Sequence, residues 1–353
     1  MELNQMLKEA VDKDASDIFL VSGLPLSYKI NSSIHLQSEE KLSPDDTRAL
    51  ILSIYQLAGG RYPKRLLEQG DDDFSFSLPG ISRFRVSTYK QRGSLAAVIR
   101  VVKFELPDPV QMGIPQTVMD LAHLKKGLVL VTGTAGSGKS TTLACMIDLI
   151  NNTRNCHVIT LEDPIEYLHR HKKSVVSQRE ISNDTESYVS ALRAALRQAP
   201  NVILLGEMRD YETISTALTA AETGHLVFST LHTVGAANTI DRVIDAFPSN
   251  QQPQIRVQLS MVLQAVVSQQ LLTAKDGTVA PAFEIMKVNG AIRNMIRESK
   301  VHQIDTVIAS SSGEGMVSMD ASILELYRQG KISAEEAMTC AAAPAVLAKK
   351  MGL

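Results

Sequence analysis

Apolar and polar residues follow different periods in different parts of the first hundred residues. Residues 3–11 place apolar side chains at helical spacing, which predicts an amphipathic helix. Residues 74–78 alternate apolar and polar positions, and residues 84–86 and 95–99 continue in a strand-like manner. Such alternation is typical of antiparallel strands with one buried face. We therefore predict a small α+β domain over residues 1–106.

Three prolines mark the end of this region. Pro107, Pro109 and Pro115 cannot lie inside regular elements, because proline lacks a backbone N–H and restricts the residue before it. We predict a linker over residues 107–115 and a second domain over residues 116–353.

In the second region, short apolar runs alternate with segments of helical period. Strands are predicted over residues 128–132, 156–161, 202–205 and 225–230, and helices over residues 140–151, 184–198 and 211–223. This alternation predicts a parallel sheet with helices on both faces. From about residue 250 onward the pattern is mostly helical, so we expect a C-terminal helical region.

Composition is that of a soluble globular protein of two domains, with 353 residues, 44% apolar residues and 21% charged residues. The net charge of −2 provides no global basic field for nucleic acid or anionic lipid. The three cysteines, Cys145, Cys156 and Cys340, are far apart and form no C-x-x-C, so we expect neither disulfides nor zinc and a reducing cytosol. No signal peptide or membrane-spanning run is expected.

The most specific motif follows the strand at residues 128–132. It matches G-x-x-x-x-G-K-S/T, whose glycines let backbone N–H groups surround the phosphates of a nucleotide. The expected phosphate-binding residues are Gly133, Thr134, Ala135, Gly136, Ser137, Gly138, Lys139, Ser140 and Thr141. Lys139 is expected to reach the β- and γ-phosphates of ATP, and Ser140 to hold Mg²⁺.

Carboxylates come directly after two of the apolar strands. Glu162 and Asp163 end one strand, and Glu207 follows the next with Gly206 between. A carboxylate at the end of a buried strand is costly unless it meets a cation or water. We predict that Glu207 orients the attacking water and contacts Mg²⁺, with Glu162 and Asp163 in the same shell. The roles of the two glutamates remain interchangeable, and for Glu162 and Asp163 ordinary turn or cap chemistry is the alternative.

Two histidines bracket another strand. His225 precedes and His232 follows the apolar run over residues 226–231. We predict a sensor of the γ-phosphate, and a packing role is the alternative. Arginines of either domain are candidates for cations that act on a neighbouring subunit's phosphates, because a single cradle leaves the γ-phosphate open on one side.

Together these motifs resemble those of the type II and type IV pilus secretion ATPase superfamily. The matching segments are the phosphate loop and residues 159–167, 202–210, 224–233 and 238–248. Over essentially its whole length the chain is similar to the PilT-type retraction ATPases of type IV pili. Their signature matches Ala291, Ile292, Arg293, Asn294, Met295, Ile296, Arg297 and Glu298. From the residues alone, this octapeptide is an amphipathic helix with Arg293 and Arg297 exposed.

The resemblance implies a homohexameric ring of subunits that each join a PAS-like N-terminal domain to a RecA-like ATPase domain. It further implies a motor for pilus retraction at the cytoplasmic face of the inner membrane, docked on a platform protein, with a retraction-ATPase paralogue as a candidate partner. Family arginine fingers make five residues candidates: Arg85, Arg100, Arg179, Arg193 and Arg209.

Three other functions are compatible with the phosphate loop. Pilus extension and type II secretion ATPases usually carry an extra N-terminal domain and a four-cysteine zinc module, for which this sequence has no C-x-x-C. A RecA-like nucleic-acid translocase would favour basic, aromatic loops, whereas this chain is slightly acidic and has no tryptophan. A non-hydrolysing regulatory paralogue would not need Glu162, Glu207 and both histidines.

Overall fold

A computed structural model describes residues 2–31, 33–102 and 106–352. These residues divide into two compact units. One comprises residues up to 102 together with 166–168, and the other comprises residues 106–165 and those from 169 onward. Among the described residues, no helix is long and apolar enough to cross a bilayer.

The first unit is a six-stranded antiparallel sheet in the order β3-β2-β1-β6-β5-β4 with three helices. The elements are α1 Leu3–Asp12, β1 Asp17–Leu20, β2 Pro25–Ile30, β3 Ser33–Lys41, α2 Pro44–Leu57, α3 Lys64–Gln69, β4 Asp71–Leu78, β5 Ser82–Gln91 and β6 Ser94–Val102. Phe84 and Val86 of β5 are fully buried, whereas Arg83 and Arg85, which alternate with them along the strand, are not. Period-two patterning therefore gives one buried face, as the sequence predicts.

The second unit contains a seven-stranded sheet in the order β13-β12-β7-β11-β10-β8-β9. Its strands are β7 Gly127–Thr132, β8 His157–Glu162, β9 Val175–Glu180, β10 Val202–Leu205, β11 Leu226–Leu231, β12 Leu263–Thr273 and β13 Val279–Lys287. In this sheet order, the six strands from β12 through β7, β11, β10 and β8 to β9 are parallel to one another, and β13 is antiparallel to β12. The central strands are buried along their whole length because helices cover both faces.

Eleven α-helices and three short 3₁₀ helices are assigned among the described residues of this unit. The α-helices are α4 Gln116–Met119, α5 Lys139–Thr153, α6 Tyr188–Ala195, α7 Tyr211–Glu222, α8 Ala236–Asp245, α9 Gln252–Val262, α10 Gly290–Arg297, α11 Ile304–Ser310, α12 Met319–Arg328, α13 Ala334–Cys340 and α14 Pro344–Met351. The 3₁₀ helices are Asp120–His123, Val301–Gln303 and Ser312–Glu314. Helix α5 packs against Val129 and Val131 on one face of the sheet, whereas α7 and α8 pack against Leu128 and Leu130 on the other.

The predicted fold class is confirmed, with one correction. Residues beyond 250, expected to be mostly helical, also contribute the strands β12 and β13 before the C-terminal helices begin. Both faces of β12 are largely buried, so its sequence lacks the alternation that marks a half-exposed strand. Residues 106–115 contain no helix or strand and belong to the second unit, and the predicted domain boundaries remain a proposal.

Candidate active site

The carboxyl ends of four neighbouring parallel strands meet at one edge of the larger sheet. In sheet order, β7 leads into the phosphate loop, β11 into His232, β10 into Glu207, and β8 ends at Glu162. This edge is where ligands bind in open α/β sheets. The structure therefore brings together the loop, both predicted glutamates and one of the two histidines.

The phosphate loop is closed against the sheet at positions that require glycine. Gly133 has φ of +138°, and a Cβ there would lie 2.2 Å from the carbonyl oxygen of Gln269. The loop then enters α5 at Lys139, so the first N–H groups of this helix face the loop. The Ser137 hydroxyl is buried and has no hydrogen-bond partner among the described residues. The loop thus presents unused donors where a phosphate would sit.

Lys139 lies inside this loop. Its side chain is 8% exposed, and its ammonium group donates to the carbonyls of Gly133 at 2.9 Å and Thr134 at 2.7 Å. Burial lowers the pKa of Lys139, and the charge of Glu207 opposes that shift. An ammonium group has three donors, so one remains for a phosphate oxygen after the two loop contacts.

Glu207 lies between two cationic or titratable side chains. Its carboxylate oxygens contact Arg209 at 2.6 Å and the Nε2 atom of His232 at 3.2 Å, while the Glu207 side chain is only 12% exposed. The hydrogen bond to Glu207 raises the pKa of Arg209. The charge of Glu207 also acts on Lys139, so this carboxylate lies near the phosphate loop as well as in contact with His232.

Glu162 and Asp163 lie beside Glu207 at the end of the next strand. Glu162 Oε1 accepts from the Thr160 hydroxyl at 2.6 Å and from the Gln178 amide at 3.2 Å. Tyr188, at the start of α6, belongs to the same cluster. Burial raises the pKa of Tyr188, and the charges of Asp163, Glu207 and Glu162 add to the effect. Sequence reasoning missed Tyr188, since a tyrosine opening a helix carries no catalytic pattern.

Gln269 on β12 lies against Gly133 and Gly138 of the phosphate loop. The sequence patterns did not predict this residue. Its buried Oε1 accepts from the Thr142 hydroxyl at 2.8 Å, and its Nε2 would lie 2.7 Å from a Cβ on Gly138. Beside it is a cavity of about 450 Å³, which Thr141, residues 110–114 and the β12–β13 hairpin also line. This cavity continues the phosphate loop and has the size of a small-molecule site.

His225 lies at the opposite end of the sheet, which corrects its assignment to the phosphate sensor. It precedes β11, whereas His232 follows that strand, so at ~3.3 Å per residue the two are roughly 23 Å apart. His225 Nδ1 donates to the Ala220 carbonyl at 2.9 Å, and the ring lines a separate cavity with Arg154 and Lys125. The alternative, a structural histidine, fits this position.

Comparison with known proteins identifies the family of the chain. The family described as type II/IV secretion system protein matches residues 1–343. The chain belongs to this family. It is 43% identical to "Type IV pilus retractation ATPase PilT" of Pseudomonas aeruginosa, over 98% of this chain and 99% of that protein. It is 50% identical to "Twitching motility protein" of Neisseria gonorrhoeae, over 75% of this chain and 71% of that protein.

A solved structure gives the same result in three dimensions. The crystal structure described as the pilus retraction motor PilT with bound ADP matches with a TM-score of 0.90 and 46% identity, covering 99% of each chain. The resemblance inferred from the motifs is thereby confirmed for this family member.

Two of the five candidate arginine fingers lie in the first unit and three lie in the second. Arg85 and Arg100 face each other across β5 and β6 in the first unit, where Arg100 pairs with Asp17 at 3.0 Å. The others are in the second unit. Arg179 donates to the Asp184 carbonyl, Arg193 is exposed on α6, and Arg209 pairs with Glu207. A role for any of them in another subunit's site stays a prediction.

The retraction signature forms α10 and its C-terminal cap. Ile292 and Ile296 are buried, as the amphipathic pattern predicts, and Met295 is partly buried. The expectation that Arg293 is exposed is wrong. Its guanidinium is half-buried and donates to the carbonyls of Ser260 and Met261 at the end of α9, at 3.0 Å for the latter. Arg293 thus satisfies the free carbonyls of a neighbouring helix.

Proposed function

We propose that this chain is the ATP-hydrolysing subunit of a hexameric motor that retracts type IV pili. The observation that carries the proposal is the contact between Glu207 and His232 beside the phosphate loop. It supplies a carboxylate to orient water and a side chain to respond to the γ-phosphate. The names of the two relatives, "retractation ATPase" and "twitching motility protein", support retraction as the output.

The residues present fit ATP with Mg²⁺. The unpartnered Ser137 hydroxyl, the third donor of Lys139 and the start of α5 suit the phosphates. Ser140 is exposed beside them and would hold Mg²⁺, with Glu207 reaching it partly through water. Bound there, Mg²⁺ would offset phosphate charge and align the γ-phosphate for in-line attack. The cavity beside Gln269 would take the nucleoside.

In the proposed chemistry, Glu207 accepts a hydrogen bond from the attacking water and positions it in line with the γ-phosphate. His232 then changes its contact with Glu207 when the γ-phosphate leaves. Glu162 is the alternative base, because it lies at the same edge and the two roles are exchangeable.

Steady-state turnover of ATP tests this proposal directly. We expect Glu207→Gln to lower kcat by about 10²–10⁴-fold, the usual contribution of a positioned base, with ATP binding retained. Glu162→Gln is the comparison, and whichever variant loses more kcat at unchanged nucleotide affinity carries the base. Exposed Glu222→Gln on α7 serves as the control. A background rate in the wild-type protein that neither site variant changes would instead indicate a non-hydrolysing regulatory paralogue.

Deletion of the gene tests the direction of force. Retraction predicts that surface pili persist or multiply while twitching stops, and that the Glu207→Gln protein does not restore movement. Absent pili would indicate an extension ATPase, and loss of secretion without a change in pili would indicate a type II secretion ATPase. Salt-sensitive binding to DNA would favour the nucleic-acid translocase.

We further propose that the protein acts at the cytoplasmic face of the inner membrane, where its hexamer would dock on the platform protein, with a retraction-ATPase paralogue as a candidate partner. Arginines of neighbouring subunits would complete each site in such a ring. Sedimentation with and without a non-hydrolysable ATP analogue tests the hexamer, and co-purification with the platform protein tests docking.

A further inference from the structure

A buried carboxylate on β13 lies where two helices begin. Glu284 is 9% exposed. Its Oε1 accepts from the N–H of Ala236 at 2.8 Å, and its Oε2 accepts from the N–H of Met319 at 3.4 Å. Ala236 is the first residue of α8 and Met319 is the first residue of α12. One side chain therefore joins the starts of two helices that are far apart in sequence.

Helix α8 depends on the sheet for its N-terminal cap. The cap position is Gly235, which has no side chain to accept the free N–H groups of the first turn. The N–H of Gly235 donates instead to the Ser268 hydroxyl at 3.0 Å. Ser268 and Glu284 are directly paired across β12 and β13. Two neighbouring positions of the hairpin thus do what a capping side chain does in other helices.

This cap fixes the far end of the loop that carries His232. Only three residues separate His232 from Ala236. The Thr239 hydroxyl donates its one hydrogen to the Gly235 carbonyl at 2.7 Å. In the hydrogen bond between the Thr233 and Thr239 hydroxyls, also at 2.7 Å, Thr233 is therefore the donor. At the near end, His232 contacts Glu207. This short loop is thus held by Glu207 at His232 and by Glu284 at Ala236, so a movement of His232 acts on the contact with Glu284.

The sheet beneath this loop has unused hydrogen-bonding capacity. Thr132 is paired with Ser268 on the next strand, and its buried hydroxyl has no partner among the described residues. The buried Ser229 hydroxyl on β11 is in the same situation. Buried polar groups are normally hydrogen-bonded, often by ordered water. Thr132 and Ser229 thus place further hydrogen-bonding groups on β7 and β11, the two strands that follow β12 in the sheet order.

We propose that Glu284 is a positioning residue of the nucleotide site, which fixes the His232 loop and couples its position to α12 in the C-terminal region. The proposal rests on the proposed hydrolytic function. Burial raises the pKa of Glu284, and the two N–H donors oppose that shift. The partial positive charge at both helix starts also favours the ionised carboxylate.

The test compares Glu284→Gln with the wild-type full-length protein. The amide keeps one acceptor but places an N–H₂ group against the second helix start. We expect kcat to fall about tenfold while nucleotide affinity changes by less than about twofold, because Gln269 rather than Glu284 supports the phosphate loop. Glu325→Gln, an exposed carboxylate of α12, is the matched control and should leave both values unchanged.

A double-mutant cycle separates positioning from general stability. If Glu284 acts through the loop, adding Glu284→Gln to His232→Ala should lower kcat by less than about twofold further. A full additional tenfold loss, or an unchanged kcat in the single variant, overturns the proposal. If Glu284→Gln does not fold, Ser268→Ala, which removes the acceptor for the N–H of Gly235, replaces it in the double-mutant cycle with His232→Ala. A folded wild-type protein without ATP turnover would refute the proposed function instead.

Discussion

Gln269 provides the sharpest test of how the phosphate loop is supported. Gln269→Met keeps the length of the side chain and removes its amide. The Thr142 hydroxyl, which is fully buried, then loses its acceptor at 2.8 Å. We expect a less stable protein that also binds ADP more weakly, since the same amide lies against Gly138 of the loop.

The size of the effect follows from burial. A buried hydroxyl left without a partner costs ~1–3 kcal/mol. The Thr142 hydroxyl can turn to the Gly138 carbonyl one helical turn earlier, so we expect the lower part of that range, about 1–2 kcal/mol. For a unit of this size such a loss lowers Tm by about 2–8 °C. If nucleotide binding must then re-order the loop at the expense of this whole free energy, ADP affinity falls by up to about 30-fold.

Thermal unfolding and ADP titration measure the two effects separately. Gln270→Met, one position along the same strand, is the control and should leave ADP affinity unchanged. Combined with Thr142→Val, Gln269→Met should cost less stability than the sum of the single variants, because both partners of one hydrogen bond are then apolar. A lowered Tm with unchanged ADP affinity would refute the idea that this amide supports the loop.

Three further predictions follow from the placement of single residues. His232→Ala should lower ATP turnover at least tenfold whereas His225→Ala should not, and equal losses would contradict the separation of the two rings. Arg293→Ala should lower Tm by a few degrees because carbonyls at the end of α9 lose their donor, with exposed Arg297→Ala as the control. Burial lowers the pKa of His169 to about 4, below its ordinary value of 6.5. As the pH is lowered, His169 therefore gains its proton in the unfolded chain before it does so in the folded chain. The free energy of unfolding is thus highest above pH 6.5 and falls as the pH decreases towards 4. Urea unfolding of His169→Gln should show a weaker loss over that window, and an identical pH profile would show that the buried ring does not contribute.

The sequence by itself determined the parts of the site that are contiguous. The phosphate loop is a strand, a turn and a helix start within about fifteen residues, so its residue types and its backbone geometry are specified together. Glu162 and Glu207 were also predictable. Each follows a short apolar run, and carboxyl ends of parallel strands share one edge of the sheet.

Only the tertiary structure decided which distant residues meet at that edge. Gln269 reaches Thr142, and Glu284 reaches Ala236, through the order of strands in the sheet, which no local pattern encodes. The same reason applies to His225. The histidine pair looks symmetric along the chain, but a strand has two ends, and only its carboxyl end lies beside the phosphate loop.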